Sequence, residues 1–342
     1  MRVAKYYNNK DVRIETMPKP KTGPGELLVK VAASGICGSD VMEWYRVKKA
    51  PLVLGHEIAG EIAEVGEGVT AYRKGDRVFV SHHVPCNTCH YCLNGYHTAC
   101  ETLHTTNYFP GGFAEYVRVP ALNVDRGVFV LPDEVSHEDG TFVEPLACVV
   151  RGQRVAGLRP GQSVLVLGSG ISGILHIMLA RASGAGRIMA FDINKYRLDA
   201  AKRLGADSVL ASGSDIPGQV KKLNAGRLAD IVIVCAGALK AFQEALGCVD
   251  RGGTVLCFAT TEPDVSLPVP INSFWRNEIK LMPSYGGSPG DLSTALELIR
   301  ARRVPVGGLI THRLPLDEAA RGFKMVAEAG DCLKVILNPR RP

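Results

Sequence analysis

The chain has 342 residues, of which 46% are apolar and 22% charged, and a formal net charge of +6. This suits two domains of ordinary size and excludes wholesale disorder. The thinly spread positive surplus, with no run of about five Lys/Arg, argues against a nucleic-acid partner. The absence of any stretch of roughly 18 apolar residues argues against a membrane span, and the amino terminus lacks a signal peptide's apolar core, so a cytoplasmic protein is expected.

The first 150 residues read as short strands punctuated by glycine and proline. Leu27-Leu28-Val29-Lys30-Val31, residues 59–65 and Asp76-Arg77-Val78-Phe79-Val80 are examples. Scattered among them are metal-ligand types: Cys37, the pair His56-Glu57, and Glu144 in Phe142-Val143-Glu144-Pro145-Leu146. One thiolate, one imidazole and one or two carboxylates hold a zinc ion while leaving a position for water or a substrate oxygen. Alone, Cys37 reads as a buried apolar residue and His56 as a core histidine; the rest of the chain weights the metal reading.

Cys86, Cys89, Cys92 and Cys100 follow, spaced C-x2-C-x2-C-x7-C. Four thiolates so close in sequence can close a tetrahedral shell around zinc, with no open position, so this second site is expected to be structural. His90 and His97 are expected to be bystanders. Ten cysteines in a long chain without a secretion signal favour metal binding over disulfides. Cys235, Cys248, Cys257 and Cys332 should pack as small apolar residues, as should Cys148 unless it shares a helix face with Glu144 as a further ligand.

From about residue 160 the texture changes. Val164-Leu165-Val166-Leu167, Ile188-Met189-Ala190-Phe191, residues 230–234 and residues 254–258 are apolar runs separated by helix-length segments. That alternation predicts a parallel sheet covered on both faces. The first run leads into Gly168-Ser169-Gly170-Ile171-Ser172-Gly173 and then a helical stretch, the strand–turn–helix setting a dinucleotide fingerprint requires. The glycines permit a tight turn, close approach of a pyrophosphate and close helix packing. Asp192 ends the second run, where a carboxylate accepts hydrogen bonds from ribose hydroxyls and repels a 2′-phosphate. NAD is therefore expected over NADP, although Arg197 could reach a phosphate. An edge strand near Phe258 could extend the sheet between subunits. The tail, with a helix near residues 292–302 and a strand-like Leu333-Lys334-Val335-Ile336-Leu337, should return to the first domain. The expected domains are residues 1–150, 151–288 and the returning segment 289–342.

These motifs, in this order, resemble the zinc-containing medium-chain alcohol dehydrogenases, nearest the sorbitol (polyol) and threonine dehydrogenase branch. The residues that carry the likeness are Cys37-Gly38-Ser39-Asp40, Gly55-His56-Glu57, the four-cysteine loop, Glu144-Pro145-Leu146 and the Gly168 turn. The resemblance implies an α/β protein with a GroES-like β-rich catalytic domain and a Rossmann doubly wound domain. It implies two zinc ions per chain, NAD, a small alcohol or ketone substrate, and a homodimer or homotetramer. Cys37 and His56 would be zinc ligands, and Glu57 either a third ligand or a supporting carboxylate. Glu144 would meet the metal directly or through its water, Ser39 would bond the substrate alcohol, and Asp40 would orient His56. Zinc would polarise the alcohol and the nicotinamide take its hydride.

One departure stands out: relatives place a relay histidine five residues after the ligand cysteine, and here that residue is Met42. His82 and His83, expected on an exposed loop, are substitutes to weigh. Three other readings compete. A zinc-free quinone or enoyl reductase would lack Cys37 and His56. A cofactor-binding or structural relative without turnover finds support only in Met42. A nucleic-acid-binding zinc protein needs a basic, aromatic-studded patch that is not found. Of the tryptophans, Trp44 could wall a substrate pocket and Trp275 pack a subunit contact.

Overall fold

The computed structural model describes residues 1–210 and 215–339. These form two compact units, one of Met1–Ala147 with Gly287–Pro342 and the other of Cys148–Gly286.

The first unit is built on a seven-stranded mixed sheet. At its centre lies Leu27–Gly35, in which every residue but Lys30 is buried. It earns that position by composition: an almost unbroken apolar strand needs cover on both faces. It pairs antiparallel with Glu57–Val65, Tyr116–Val119 and Lys334–Asn338. Leu27, Val29, Val31, Ile58, Ile62, Val78 and Val80 form one core layer, and Tyr6, Phe113, Phe323, Val335 and Leu337 belong to another. Each such side chain contributes about 1.5–3 kcal/mol through burial.

Register then assembles the site. Gly35 pairs with Glu57, so Cys37, two residues past one strand, emerges beside His56, one residue before the other. Ile336 also pairs with Gly35, which brings the start of the strand Lys334–Asn338 to the same place. A short 3-10 turn, Gly38–Val41, follows Cys37 and is closed by a reciprocal cap: the cysteine sulfur accepts the Ser39 N–H, and the Asp40 carboxylate accepts the Cys37 N–H.

The four-cysteine segment projects as a lobe of short helices, including His90–Leu93 and Glu101–Thr105. Apart from its cysteines its only buried apolar cluster member is Leu103.

The second unit is a six-stranded parallel sheet. With strands numbered in chain order as Ser163–Leu167, Arg187–Phe191, Ser208–Leu210, Ala229–Val234, Val249–Cys257 and Lys280–Pro283, the spatial order is 3-2-1-4-5-6. That is the doubly wound dinucleotide-binding order, with its switch point beside the first strand. The strand leading to Phe258 is not an edge strand, because Lys280–Pro283 pairs on its outer side. Short, largely exposed Lys280-Leu281-Met282 carries too little apolar sequence to have been singled out. No helix among the described residues is long and apolar enough to cross a membrane.

Candidate functional site: a metal centre and a dinucleotide turn

In the first unit the ligand atoms of Cys37, His56 and Glu57 all lie within 4.8 Å of one another. Asp40, completely buried, places Oδ1 3.4 Å from His56 Nδ1. Burial disfavours an imidazolium at His56, but the charges of Asp40 and Cys37 outweigh it and raise its affinity for a proton well above the ordinary value. Burial likewise opposes the Asp40 charge, and His56, Arg46 and the Cys37 N–H overcome it. A half-buried imidazole flanked by a cysteine sulfur and a carboxylate is an environment built for a cation. The donor set, one sulfur and one imidazole with a carboxylate nearby, fits zinc.

Two cations that sequence reasoning missed complete this cluster. Arg46 donates to the Ser39 carbonyl at 2.9 Å and to Ser39 Oγ at 3.0 Å, and lies 3.6 Å from Asp40. Lys334 ion-pairs with Glu57, both side chains essentially inaccessible to solvent. A lone lysine inside the apolar run Leu333-Lys334-Val335-Ile336-Leu337 was the available signal. Its partner, 277 residues away, was not readable without the register.

Glu144 is not part of the three-residue group. It opens the helix Val143–Ala156, half-buried, with Cys148 one turn further on. It is near enough that Tyr108, whose hydroxyl is held neutral first by burial, also feels the charges of Glu144, Asp40 and Glu57.

His82 and His83 do not sit on an exposed loop; both are half-buried. The His82 ring lies 4.9 Å from that of His56 and 3.8 Å from that of His83. Burial and neighbouring cations push both imidazoles down, His83 to about 4. Two adjacent histidines read as polar, but the loop folds back on the metal cluster and dries them. Met42 and Trp44 flank the short helix Glu43–Arg46 at its start and within it.

The four cysteines of the lobe also converge, their sulfurs all within 4.8 Å of one another. Cys89 and Cys92 sulfurs are 3.6 Å apart and Cys86 and Cys92 4.0 Å. Zinc–sulfur bonds of about 2.3 Å in a tetrahedron put sulfurs about 3.8 Å apart, so the spacing fits zinc. Backbone N–H groups of Thr88 and Cys89 point at Cys86 and lower its thiol to about 5, whereas burial raises Cys92 to about 12. None of the ten cysteines forms a disulfide. His90 is exposed and His97 half-exposed. Cys248 and Cys332 are buried, and Cys148, Cys235 and Cys257 are partly so.

In the second unit, Gly168 adopts φ +94°, a left-handed conformation that favours glycine. A side chain at Gly173 would collide with the Gly168 carbonyl, so that position admits only hydrogen. At Gly170 an added Cβ would meet nothing nearer than the Arg197 guanidinium at 3.7 Å, which leaves an open cradle above the turn. Ile171 and Ser172 open the helix Ile171–Ala182, whose free N–H groups face that cradle. The Asp192 carboxylate accepts the Ser169 N–H at 2.7 Å and the Asn194 N–H at 2.8 Å, fixing the turn and placing a negative charge at the end of the second strand.

Comparison with known proteins agrees with both halves. Residues 23–133 match the alcohol dehydrogenase GroES-like domain and residues 172–301 the zinc-binding dehydrogenase domain. The sorbitol dehydrogenase of Bacillus subtilis strain 168 is 31% identical over 353 residues, covering 100% of this chain and 98% of that protein. The L-threonine 3-dehydrogenase of Bacillus licheniformis is 32% identical, covering 95% and 94%. Among solved structures, the alcohol dehydrogenase TADH from Thermus sp. ATN1 superposes with a TM-score of 0.87 at 30% identity, covering 99% of each chain.

Proposed function

The chain belongs to the zinc-containing medium-chain alcohol dehydrogenases, and from that premise we propose that it oxidises a secondary alcohol of the polyol or vicinal hydroxy class to a ketone with NAD. The observation that carries this reading is the Cys37–His56–Glu57 cluster, a donor set that leaves room for a substrate oxygen, in the same chain as a closed four-sulfur site. The unit of residues 1–147 and 287–342 would be the catalytic domain, and residues 148–286 the cofactor domain.

When bound, zinc supplies Lewis acidity to the alcohol oxygen and the dinucleotide accepts the hydride. Cys37 and His56 would hold the catalytic ion, with Glu57 as a third ligand or a supporting carboxylate and Glu144 meeting the ion directly or through its water; Cys86, Cys89, Cys92 and Cys100 would hold the structural one. Asp40 holds His56 in one orientation. Ser39 Oγ accepts from Arg46 and keeps its second lone pair for the substrate hydroxyl and its own proton to hand on. Arg46, a fixed positive charge beside that oxygen, favours the deprotonated substrate. It takes over part of the work a relay histidine would do at Met42, whose thioether carries no proton.

Gly168, Ser169, Gly170, Ile171, Ser172 and Gly173 would cradle the pyrophosphate, and Arg197 would meet a ribose hydroxyl or phosphate oxygen. Asp192 supports NAD over NADP because its charge would face a 2′-phosphate. Trp275, 77% exposed beside Ile271 and the edge strand Lys280–Pro283, supports assembly as a homodimer or homotetramer. Ten cysteines without a disulfide among them, four in one cluster, support residence in the reducing cytoplasm.

The test is NADH formation by zinc-loaded protein across polyols, hydroxy amino acids and simple secondary alcohols, with NADP in parallel and Cys37→Ser alongside. Turnover of one class that Cys37→Ser abolishes supports the reading. No turnover with either cofactor, although two zinc ions are bound, would overturn it. Arg46→Met should move the pH dependence of kcat/KM to higher pH; an unmoved profile removes Arg46 from the mechanism.

A further inference from the structure

The segment that follows Ser39 concentrates positive charge. Arg46, Lys48 and Lys49 fall within four residues, at the end of the helix Glu43–Arg46 and on the 3-10 turn Val47–Lys49. Glu43, the one carboxylate of this stretch, is engaged elsewhere and accepts the Asn9 N–H at 3.0 Å. Arg46 leans on Ser39 and the buried Asp40. Lys48 and Lys49 are exposed, and neither ion-pairs with a carboxylate among the described residues. The Tyr45 ring gathers two of these cations: the Arg46 guanidinium lies 4.7 Å from its centre and the Lys49 ammonium 5.5 Å.

Two histidine rings lead from the metal cluster towards the same cations. His56, His82 and His83 follow one another with ring centres 4.9 and 3.8 Å apart. Burial, and then His56, His104, Arg46 and Lys49, each positive when charged, hold the His83 imidazole neutral. An ordinary surface intersperses both signs of charge, whereas here one sign prevails beside the site. Lysine and arginine also offer donors only, a poor lining for a neutral polyol, whose hydroxyls need acceptors as well. A surface of one sign instead draws in ligands of the other.

We propose that the substrate is an anionic polyhydroxy compound: its oxidised hydroxyl meets Ser39, and a carboxylate or phosphate further along its chain is received by Lys49 and Lys48 beside His83. The inference rests on the reading of the Cys37–His56 site as an alcohol dehydrogenase centre. Arg46 links the two positions, since it touches Ser39 Oγ at 3.0 Å and shares the Tyr45 ring with Lys49. An ammonium binds either anion as a point charge, so both chemistries suit the lysines.

The experiment compares three compounds of one carbon skeleton with the zinc-loaded, full-length protein: a neutral hexitol, its terminal phosphate ester and the corresponding aldonate. With NAD as acceptor, kcat and KM are measured for wild type, Lys49→Gln, Lys49→Arg and the double variant Lys48→Gln/Lys49→Gln. Wild type should favour one of the anions over the hexitol by about tenfold or more in kcat/KM, the scale on which a cleft of one sign concentrates its substrate. Which anion wins decides between phosphate and carboxylate. The preference should lie in KM and shrink as ionic strength rises from about 0.01 to about 0.1 M, which shortens the reach of a charge from about 30 to about 10 Å. It should fall towards unity in the double variant and survive in Lys49→Arg. Inorganic phosphate should compete with the hexitol in wild type and lose that inhibition in the double variant. A hexitol oxidised as well as both anions, or a preference that outlasts both lysines, would overturn the proposal. So would an equal fall for all three substrates in the variants, which would mark the lysines as structural. Turnover of none of the three, with both zincs bound, would instead refute the polyol dehydrogenase reading and this inference with it.

Discussion

Replacing Asp40 by Asn tests the metal centre at its support rather than at a ligand. Asp40 is fully buried and faces three donors: the Cys37 N–H at 3.1 Å, His56 Nδ1 at 3.4 Å and Arg46 at 3.6 Å. An asparagine keeps one acceptor, enough for the Cys37 N–H, but turns the other oxygen into an NH2 group facing His56 and Arg46. Such changes behind a metal-bound histidine lower affinity about 10–100-fold, or about 1.4–2.7 kcal/mol. We expect zinc release to a chromogenic chelator to show two phases in wild type. In Asp40→Asn the catalytic-site phase should quicken by that factor, while the four-cysteine phase stays unchanged. A release curve superimposable on wild type would refute the assignment of Asp40 as the support of His56. Equal acceleration of both phases would show a general loss of structure instead.

Gly173→Ala, which sets a methyl against the Gly168 carbonyl, should weaken NADH binding at least about tenfold (about 1.4 kcal/mol) in a fluorescence titration while both zincs stay bound; unchanged binding would show that the turn adapts. Cys100→Ser should release the structural zinc and expose the lobe to limited proteolysis, since Leu103 is the only buried apolar cluster member there besides the cysteines; an intact, protease-resistant lobe would refute a structural role for the metal. His176, buried against Phe258 and bonded by Gln153, has its imidazole pushed down to about 3 by burial. Because the unfolded chain binds the proton near pH 6.5 and the folded one does not, stability should fall as pH drops from 6.5, by about 1.4 kcal/mol at pH 5.5 and about 2.7 at pH 4.5. His176→Gln should remove that part of the slope in calorimetric melts at those pH values, and an identical slope in the variant would show that His176 is not its source.

Sequence alone revealed what depends on local spacing. The cofactor turn was readable because Val164-Leu165-Val166-Leu167 ends on Gly168, with Gly170 and Gly173 at fixed offsets, and those constraints act within one turn. The convergence of the lobe's four cysteines was readable because they fall within fifteen residues. Cys37 and His56 were recoverable through the motifs around them. Arg46 and Lys334 were not, because a surface cation and a buried one look alike in sequence. Which of the two each becomes depends on sheet register and on a short turn's geometry. His82 and His83 misled for the converse reason: adjacent polar residues in a loop imply solvent, and only the fold shows the loop turned inward onto His56. The true sheet edge was missed because Lys280–Pro283 is short and largely exposed, so its pairing carries no apolar signature.

The distance in sequence between Glu57 and Lys334 also has a meaning in time. During synthesis the carboxylate is made 277 residues before its ammonium partner, which at about 5–20 residues per second is an interval of about 14–55 s. Throughout that interval the strand Leu27–Gly35 lacks its neighbour Lys334–Asn338, while Cys37, His56 and an unclaimed Glu57 are already in the growing chain. A metal captured then would meet a Glu57 carboxylate with no counter-charge, whereas one arriving after the last strand docks would meet the ion pair already formed. The order of translation and metallation thus becomes a variable in how this enzyme matures.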